Sequence, residues 1–195
     1  GDRRHLEMAY SLQFSLRGTP VLRYGDEIGM GDDLTLDGRD AIRTPMQWNL
    51  SANGGFSTAE PDQLVRPVIS GGDFGYETLN ATLQKHNPAS LLSWFERMIR
   101  TLREAPEVGG GSCQHVDVPV PHGVLAHRAV DTTGTMLFLH NLGGEDCEVD
   151  MSSLAAEADH PVEVLSDDGY DPITADLAKV TLNGYGYRWI RLRRG

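Results

Sequence analysis

The sequence predicts an α/β region followed by an all-β region, and three observations carry that division. An apolar helical pattern over residues 2–17 runs through Gly18 into a short apolar segment, the α-then-β step from which parallel sheets are built. A triple glycine, Gly109-Gly110-Gly111, interrupts the chain, and beyond it the apolar period falls from 3.6 to 2. The alternating runs that follow are short and separated by turn residues, the pattern of an antiparallel β-sandwich. Domains are accordingly expected at residues 1–108 and 109–195.

Within the first region, Leu6, Tyr10 and Phe14 form one stripe and Met8, Leu12 and Leu16 another, so the helix at 2–17 is apolar around much of its circumference and expects neighbours on both sides. Gly18 stands where a C-cap needs φ > 0, and Pro20-Val21-Leu22-Arg23-Tyr24 reads as a buried strand. From Gly25 the chain is too polar and glycine-rich for a packed element, which makes it a long loop at the strand's carboxyl end. Ordered loops of that length are uncommon unless functional, and in parallel α/β architectures ligands bind at that end of the strands. Gly54-Gly55, Pro61, Pro67, Gly71-Gly72 and Gly75 keep residues 45–84 irregular. Asn87 as N-cap and Pro88 at the first position then open a helix carrying Leu91, Leu92, Phe95, Met98, Ile99 and Leu102, which Pro106 ends.

The second region begins with Val116, Val118 and Val120 alternating, then Val124, Ala126 and Arg128 opposite Leu125, His127 and Ala129. Further strands are expected at 135–141, 147–151, 162–166, 178–182 and 187–192, about seven in all. Gly123, Gly134, Gly143-Gly144, Asp168-Gly169 and Asn183-Gly184 supply the turns.

Composition removes several function classes. A net charge of −11 argues against a polyanionic partner, because nucleic-acid binding needs clustered Lys and Arg to displace counterions. No apolar run reaches the length of a membrane span, and no signal-peptide pattern opens the chain. Cys113 and Cys147 are too few and too far apart for a disulfide framework or zinc site, so they read as reduced thiols in a cytoplasmic protein. Asn49-Leu50-Ser51 and Asn80-Ala81-Thr82 match the glycosylation triplet and read as coincidence.

The loop holds the candidate chemistry. Asp26 and Glu27 are adjacent, and neighbours on an extended segment point to opposite sides, whereas a retaining glycosidase pair flanks one bond at roughly 5 Å. They read as structural carboxylates that accept loop N–H groups or pair with Arg. Asp32, Asp33 and Asp37 fit no calcium-loop spacing, the seven histidines form no zinc pattern, and neither metal nor cofactor is assigned. Arg39, Asp40 and Arg43 place two guanidinium groups beside a carboxylate, an arrangement suited to gripping sugar hydroxyls or a carboxylate, and equally to bracing the loop. Met46, Gln47 and Trp48 read as packing of the loop back onto its scaffold, with Trp48 needing one hydrogen-bond partner.

Gly18-Thr19-Pro20, Tyr24-Gly25-Asp26-Glu27-Ile28-Gly29-Met30, Gly38-Arg39-Asp40 and Arg43-Thr44-Pro45-Met46-Gln47-Trp48 together form a long ordered motif that resembles the α-amylase superfamily. The last run is similar to trehalose synthases, oligo-1,6-glucosidases, α-glucosidases and sucrose isomerases. The resemblance implies that residues 1–108 are the end of a TIM (β/α)8 barrel, namely helix 7, strand 8, its loop and helix 8, and that 109–195 are the β-sandwich that follows it. It implies an enzyme acting on α-glucosides or malto-oligosaccharides by a retaining scheme, and a role for Arg39 in holding the terminal glucose, with Asp40 and Arg43 beside it. In that scheme an Asp after strand 4, a Glu after strand 5 and an Asp after strand 7 do the chemistry. All three would precede Gly1, and no Asn-His-Asp run occurs, so the resemblance implies a carboxyl-terminal fragment without catalytic residues and inactive alone. Arg23 departs from the family, which commonly has an aromatic there. The isolated chain is expected to self-associate through apolar surface and unpaired strand edges. The rival expectation is a stand-alone carbohydrate-binding or interaction module, with Tyr170, Tyr185, Tyr187 and Trp189 as candidate platforms.

Overall fold

The computed structural model describes residues 2–157 and 160–193. In chain order it contains α1 (Arg3–Ser15), α2 (Ala81–Lys85), α3 (Leu91–Arg103) and α4 (Pro106–Gly110), then β1 (Ser112–His115), β2 (Val124–Val130), β3 (Thr135–Asn141), β4 (Cys147–Val149), β5 (His160–Ser166), β6 (Val180–Leu182) and β7 (Tyr187–Arg193). The chain forms two compact units, one of Gly1–Pro20 with Met98–Gly195 and one of Val21–Arg97, so the division falls inside α3 and groups α1 with the strands.

The first unit is built on an antiparallel sheet of order β1-β2-β3-β7-β5, with β4 and β6 pairing as a second sheet. Register follows from period 2: Leu137 opposes Ile190 and Phe138 opposes Trp189, so alternate residues of β3 and β7 serve opposite faces. On one face Ala126, Leu137, Leu139, Ile190 and Leu192 share a core with Val149, Val180 and Leu182 of the smaller sheet. Full burial of each large aliphatic chain contributes about 1.5–3 kcal/mol, and this core is the main source of the unit's stability. Arg188 lies on the same face, nearly fully buried, paired with Glu163 at 2.7 Å and stacked 4.3 Å from the Tyr170 ring. A buried guanidinium is tolerable only with such partners.

The other face carries His127, Phe138, His140, Tyr187 and Trp189, all buried. Here α1 supplies polar contacts as well as apolar ones: Ser11 Oγ accepts the Trp189 indole N–H at 2.9 Å and lies 3.0 Å from His140 Nε2. His127 Nε2 donates to the Ser15 carbonyl at 3.2 Å. The buried face of α1 is therefore Met8, Ser11, Phe14 and Ser15, while Leu6 and Leu16 of the expected apolar stripes are exposed.

Several boundaries differ from expectation for local reasons. Asp2 caps α1 by accepting the Arg4 N–H, and the helix closes at Leu16, two residues before Gly18. Ser90, rather than Asn87, caps α3 by accepting the Ser93 N–H at 3.1 Å; Asn87 instead closes the preceding turn on Ala89 N–H. Pro106 opens α4 at its first turn and Gly109-Gly110 lie inside that helix, so the triple glycine is no free linker. Val116 enters the core, but residues 116–120 are not a strand; the polar Ser112–His115 segment pairs with β2 in their place. Backbone pairing, not apolar alternation, defines that edge.

In the second unit the expected strand at residues 20–24 is absent, and no strand occurs before Ser112 among the described residues. A strand exists by its ladder, and among the described residues no strand pairs with this segment; Val21 is 78% exposed. The unit is instead a series of 3-10 turns, Asp26–Ile28, Gly38–Asp40, Ala52–Gly55 and Pro61–Gln63, followed by α2. Asn80, read above as part of a coincidental triplet, is the N-cap of α2 and accepts the Leu83 N–H at 2.9 Å.

Candidate functional site

The loop at residues 23–48 is fixed by side chains that bond backbone. Gly25, at φ +96, makes the left-handed entry to the Asp26–Ile28 turn that a side chain would resist. Asp26 Oδ2 accepts the Arg23 N–H at 3.0 Å, and Glu27 Oε2 accepts the Gly25 N–H at 2.7 Å. Both carboxylates are thus consumed within their own turn, which is helical rather than extended. The Arg23 guanidinium donates to the Ile42 carbonyl and Tyr24 Oη to the Thr44 carbonyl at 2.9 Å, stitching the two ends of the loop together. Gln84 Nε2 donates to Ile28 O at 2.6 Å while its Oε1 accepts Leu92 N–H at 3.0 Å, which pins the turn to the start of α3.

Within this frame Arg39, Asp40 and Arg43 share one bend. Gly38, at φ +56, opens the Gly38–Asp40 turn, and Arg43 N–H donates to the Asp40 carbonyl at 3.0 Å. Arg39 and Arg43 are exposed, and neither guanidinium has a partner among the described residues. Asp40 differs: its Oδ1 lies 2.6 Å from Arg66 Nη2. The three sequence candidates do come together, but the carboxylate is held by a fourth residue that sequence reasoning missed. A usable signal existed, since Arg66 is the lone cation between Arg43 and Lys85.

The neighbouring residues take structural duties. Asp33 accepts the Thr35 hydroxyl at 2.6 Å and the Thr35 N–H at 3.0 Å, and these bonds hold its carboxyl below the usual carboxylate range. Gln47, fully buried, donates to the Phe74 and Leu79 carbonyls at 3.0 and 2.7 Å. Trp48, expected to pack and to bond, is half-exposed. Among the described residues no three His, Cys, Asp or Glu side chains are placed to share a metal ion, and no helix is long and apolar enough to cross a membrane.

Of the four candidate aromatic platforms, Tyr185 is half-buried, its ring centroid 3.7 Å from that of His5. Tyr187 and Trp189 are fully buried, and the Tyr170 hydroxyl donates to Asp167 at 2.7 Å while its ring covers Arg188. His127 and His140 stack 5.7 Å apart beneath α1. Burial, and secondarily the neighbouring His127, pushes the His140 pKa down to about 3; burial also lowers His127.

The alpha amylase catalytic domain family matches residues 2–109, and the sucrose hydrolase-like C-terminal domain family matches residues 134–191. A trehalose synthase of a Pimelobacter species is 36% identical over 194 residues, covering 98% of this chain and 34% of its own length. A trehalose synthase/amylase of Mycobacterium tuberculosis is 35% identical over 195 residues, covering 98% of this chain and 32% of its own. The crystal structure of Bacillus licheniformis trehalose-6-phosphate hydrolase shares the fold with a TM-score of 0.75 at 19% identity, over 98% of this chain and 39% of that one. The chain thus spans about a third of the length of the curated relatives it matches. With more than half of its residues matched by the catalytic-domain family and nearly all of them aligned to trehalose synthases, the chain belongs to the α-amylase family.

Proposed function

We propose that this chain is the carboxyl-terminal part of an enzyme that acts on α-glucosidic bonds of small oligosaccharides, as a hydrolase, transglycosidase or isomerase. Residues 1–108 would be the end of its (β/α)8 barrel and 109–195 the β-sandwich that follows it in the chain. The catalytic carboxylates would lie in the two thirds of such an enzyme that the chain does not span, so the chain alone would be inactive. Its contribution is the Gly38–Asp40 bend. The observation that carries this reading is the contrast on that bend: Asp40 is tied down by Arg66, while the Arg39 and Arg43 guanidinium groups are exposed and have no partner among the described residues. A guanidinium offers a rigid fork that two adjacent sugar hydroxyls can accept.

Arg39→Lys in the full-length enzyme tests the reading. Loss of the fork removes one or two charge-assisted hydrogen bonds, each about 1.5–3 kcal/mol, from sugar binding. We expect kcat/KM on small α-glucosides to fall by that amount at unchanged melting temperature. Unchanged kinetics with a lower melting temperature would leave Arg39 as a loop brace only. A cytoplasmic home is supported by two free thiols, Cys113 and Cys147. Self-association of the isolated chain is supported by Val21, Leu34 and Val65 at 78, 87 and 92% exposure. A monomeric sedimentation profile at high concentration would remove that last element.

A further inference from the structure

We infer that Arg66 is a positioning residue for the sugar site: its ion pair with Asp40 sets the bend that presents Arg39. The inference rests on the reading of Arg39 given above and extends it to a residue outside the 38–48 motif. Arg66 Nη2 donates to Asp40 Oδ1 at 2.6 Å across 26 residues of chain, and among the described residues it is the bend's one side-chain ion pair. Asp40 in turn is the last residue of the Gly38–Asp40 turn, and its carbonyl takes the Arg43 N–H. One carboxylate therefore links the backbone that orients both free guanidinium groups to an anchor on a separate segment. That anchor is itself set by chain geometry. Arg66 follows the Pro61–Gln63 turn and precedes Pro67, whose ring disfavours helical backbone at residue 66.

The arrangement also prevents a competing one. Asp40 lies next to Arg39 and three residues before Arg43, and an unneutralised carboxylate there would draw either guanidinium onto itself. With Arg66 occupying Asp40, both stay available for a neutral polyol. Arg66 thus acts through Asp40 and Arg39, without touching the sugar, and its loss should resemble a partial loss of Arg39.

A double-mutant cycle in the full-length enzyme tests this, with kcat and KM on a small α-glucoside and the melting temperature measured for each variant. Arg66→Gln should lower kcat/KM roughly fivefold, the scale of a part-exposed ion pair, mostly through KM. Asp40→Asn, which keeps the shape and removes the charge, loses the anchor without leaving a competing carboxylate, so it should lower kcat/KM in the same direction by no more than Arg66→Gln, and it covers the case that Arg66→Gln fails to fold. Added to Arg39→Lys, Arg66→Gln should cost little further. If Arg39→Lys lowers kcat/KM and Arg66→Gln does not, or if their effects multiply in full, the positioning role is overturned while the sugar site stands. If Arg39→Lys itself leaves kcat/KM unchanged, the sugar site falls and the positioning role with it.

Discussion

The two units of this chain solve the burial of backbone polar groups by different means. In the sheet unit, ladders of β2, β3 and β7 satisfy the backbone wholesale, leaving side chains such as Leu137, Leu139 and Ile190 free to pack on period 2. In the loop unit, individual side chains do that work: Gln47 takes two carbonyls, Asn53 takes those of Ser57 and Ala59, and Gln84 takes Ile28 O and Leu92 N–H. Stability in the first is spread over an apolar core. In the second it is concentrated in a few polar residues, none of which an apolar pattern reveals.

Two substitutions of similar size sharpen that contrast. Leu139→Ala leaves a cavity in the shared core and should cost about 2–5 kcal/mol, read as a drop in the urea midpoint. In the loop unit Gln47→Leu keeps the volume and would look harmless by hydrophobicity. It strands the Phe74 and Leu79 carbonyls, however, and should cost about 2–3 kcal/mol, with early loss of hydrogen-exchange protection around residues 74–80. If Gln47→Leu proves neutral or stabilising, the amide is not what holds this unit together.

The same contrast explains what was legible beforehand. The β3 strand at 135–141 and the β7 strand from Tyr187 were legible as short apolar runs bounded by turn residues; β3 is buried on both faces, so its Met136 to Leu139 run is continuous where a half-exposed strand would alternate. The strand expected at 20–24 failed since apolar composition says nothing of whether a neighbour supplies the ladder. Edge β1 was missed for the converse reason, being paired yet polar in Ser-Cys-Gln-His. At the candidate site Arg39, Asp40 and Arg43 were visible as a cluster, through proximity in sequence. Arg66 was not, because an ion pair across 26 residues leaves no local period.

A third test concerns the apolar face that is not wholly apolar. His127 and His140 are buried beneath α1 with folded pKa values below the ordinary 6.5. The folded state therefore prefers both neutral, and the stability they allow is present above the unfolded pKa of about 6.5 and is lost as pH falls below it, for His140 progressively down to about 3. The facing groups on α1 and β7 are Ser11, Ser15, Tyr187 and Trp189, with no carboxylate among these contacts to stabilise an imidazolium. For His140 linkage gives roughly 0.7 kcal/mol between pH 7 and pH 6, measured as a fall in unfolding free energy, with His127 adding in the same direction. His140→Gln should remove one ring's share of that slope, and an unaltered slope would mean that other groups set the acid limit.

A fourth test separates a residue's hydrogen bonds from its backbone conformation. Asn53 sits at φ +53, a left-handed geometry that costs most L residues about 1–2 kcal/mol but that asparagine tolerates better. Its Nδ2 also donates to Ser57 O at 3.0 Å and Ala59 O at 2.7 Å, closing the segment after the Ala52–Gly55 turn. Asn53→Ala and Asn53→Gly both lose these bonds, so the loss common to the two measures what the amide contributes. They differ in the Cβ, which glycine lacks, and Asn53→Gly should therefore be the more stable of the pair by about 1 kcal/mol, less the entropy glycine gains when unfolded. Equal melting temperatures for the two would show that the left-handed geometry relaxes once the amide is gone, making the side-chain bonds the cause of the backbone conformation. A clear advantage for glycine would show that the turn imposes that conformation by itself and that Asn53 was merely compatible with it.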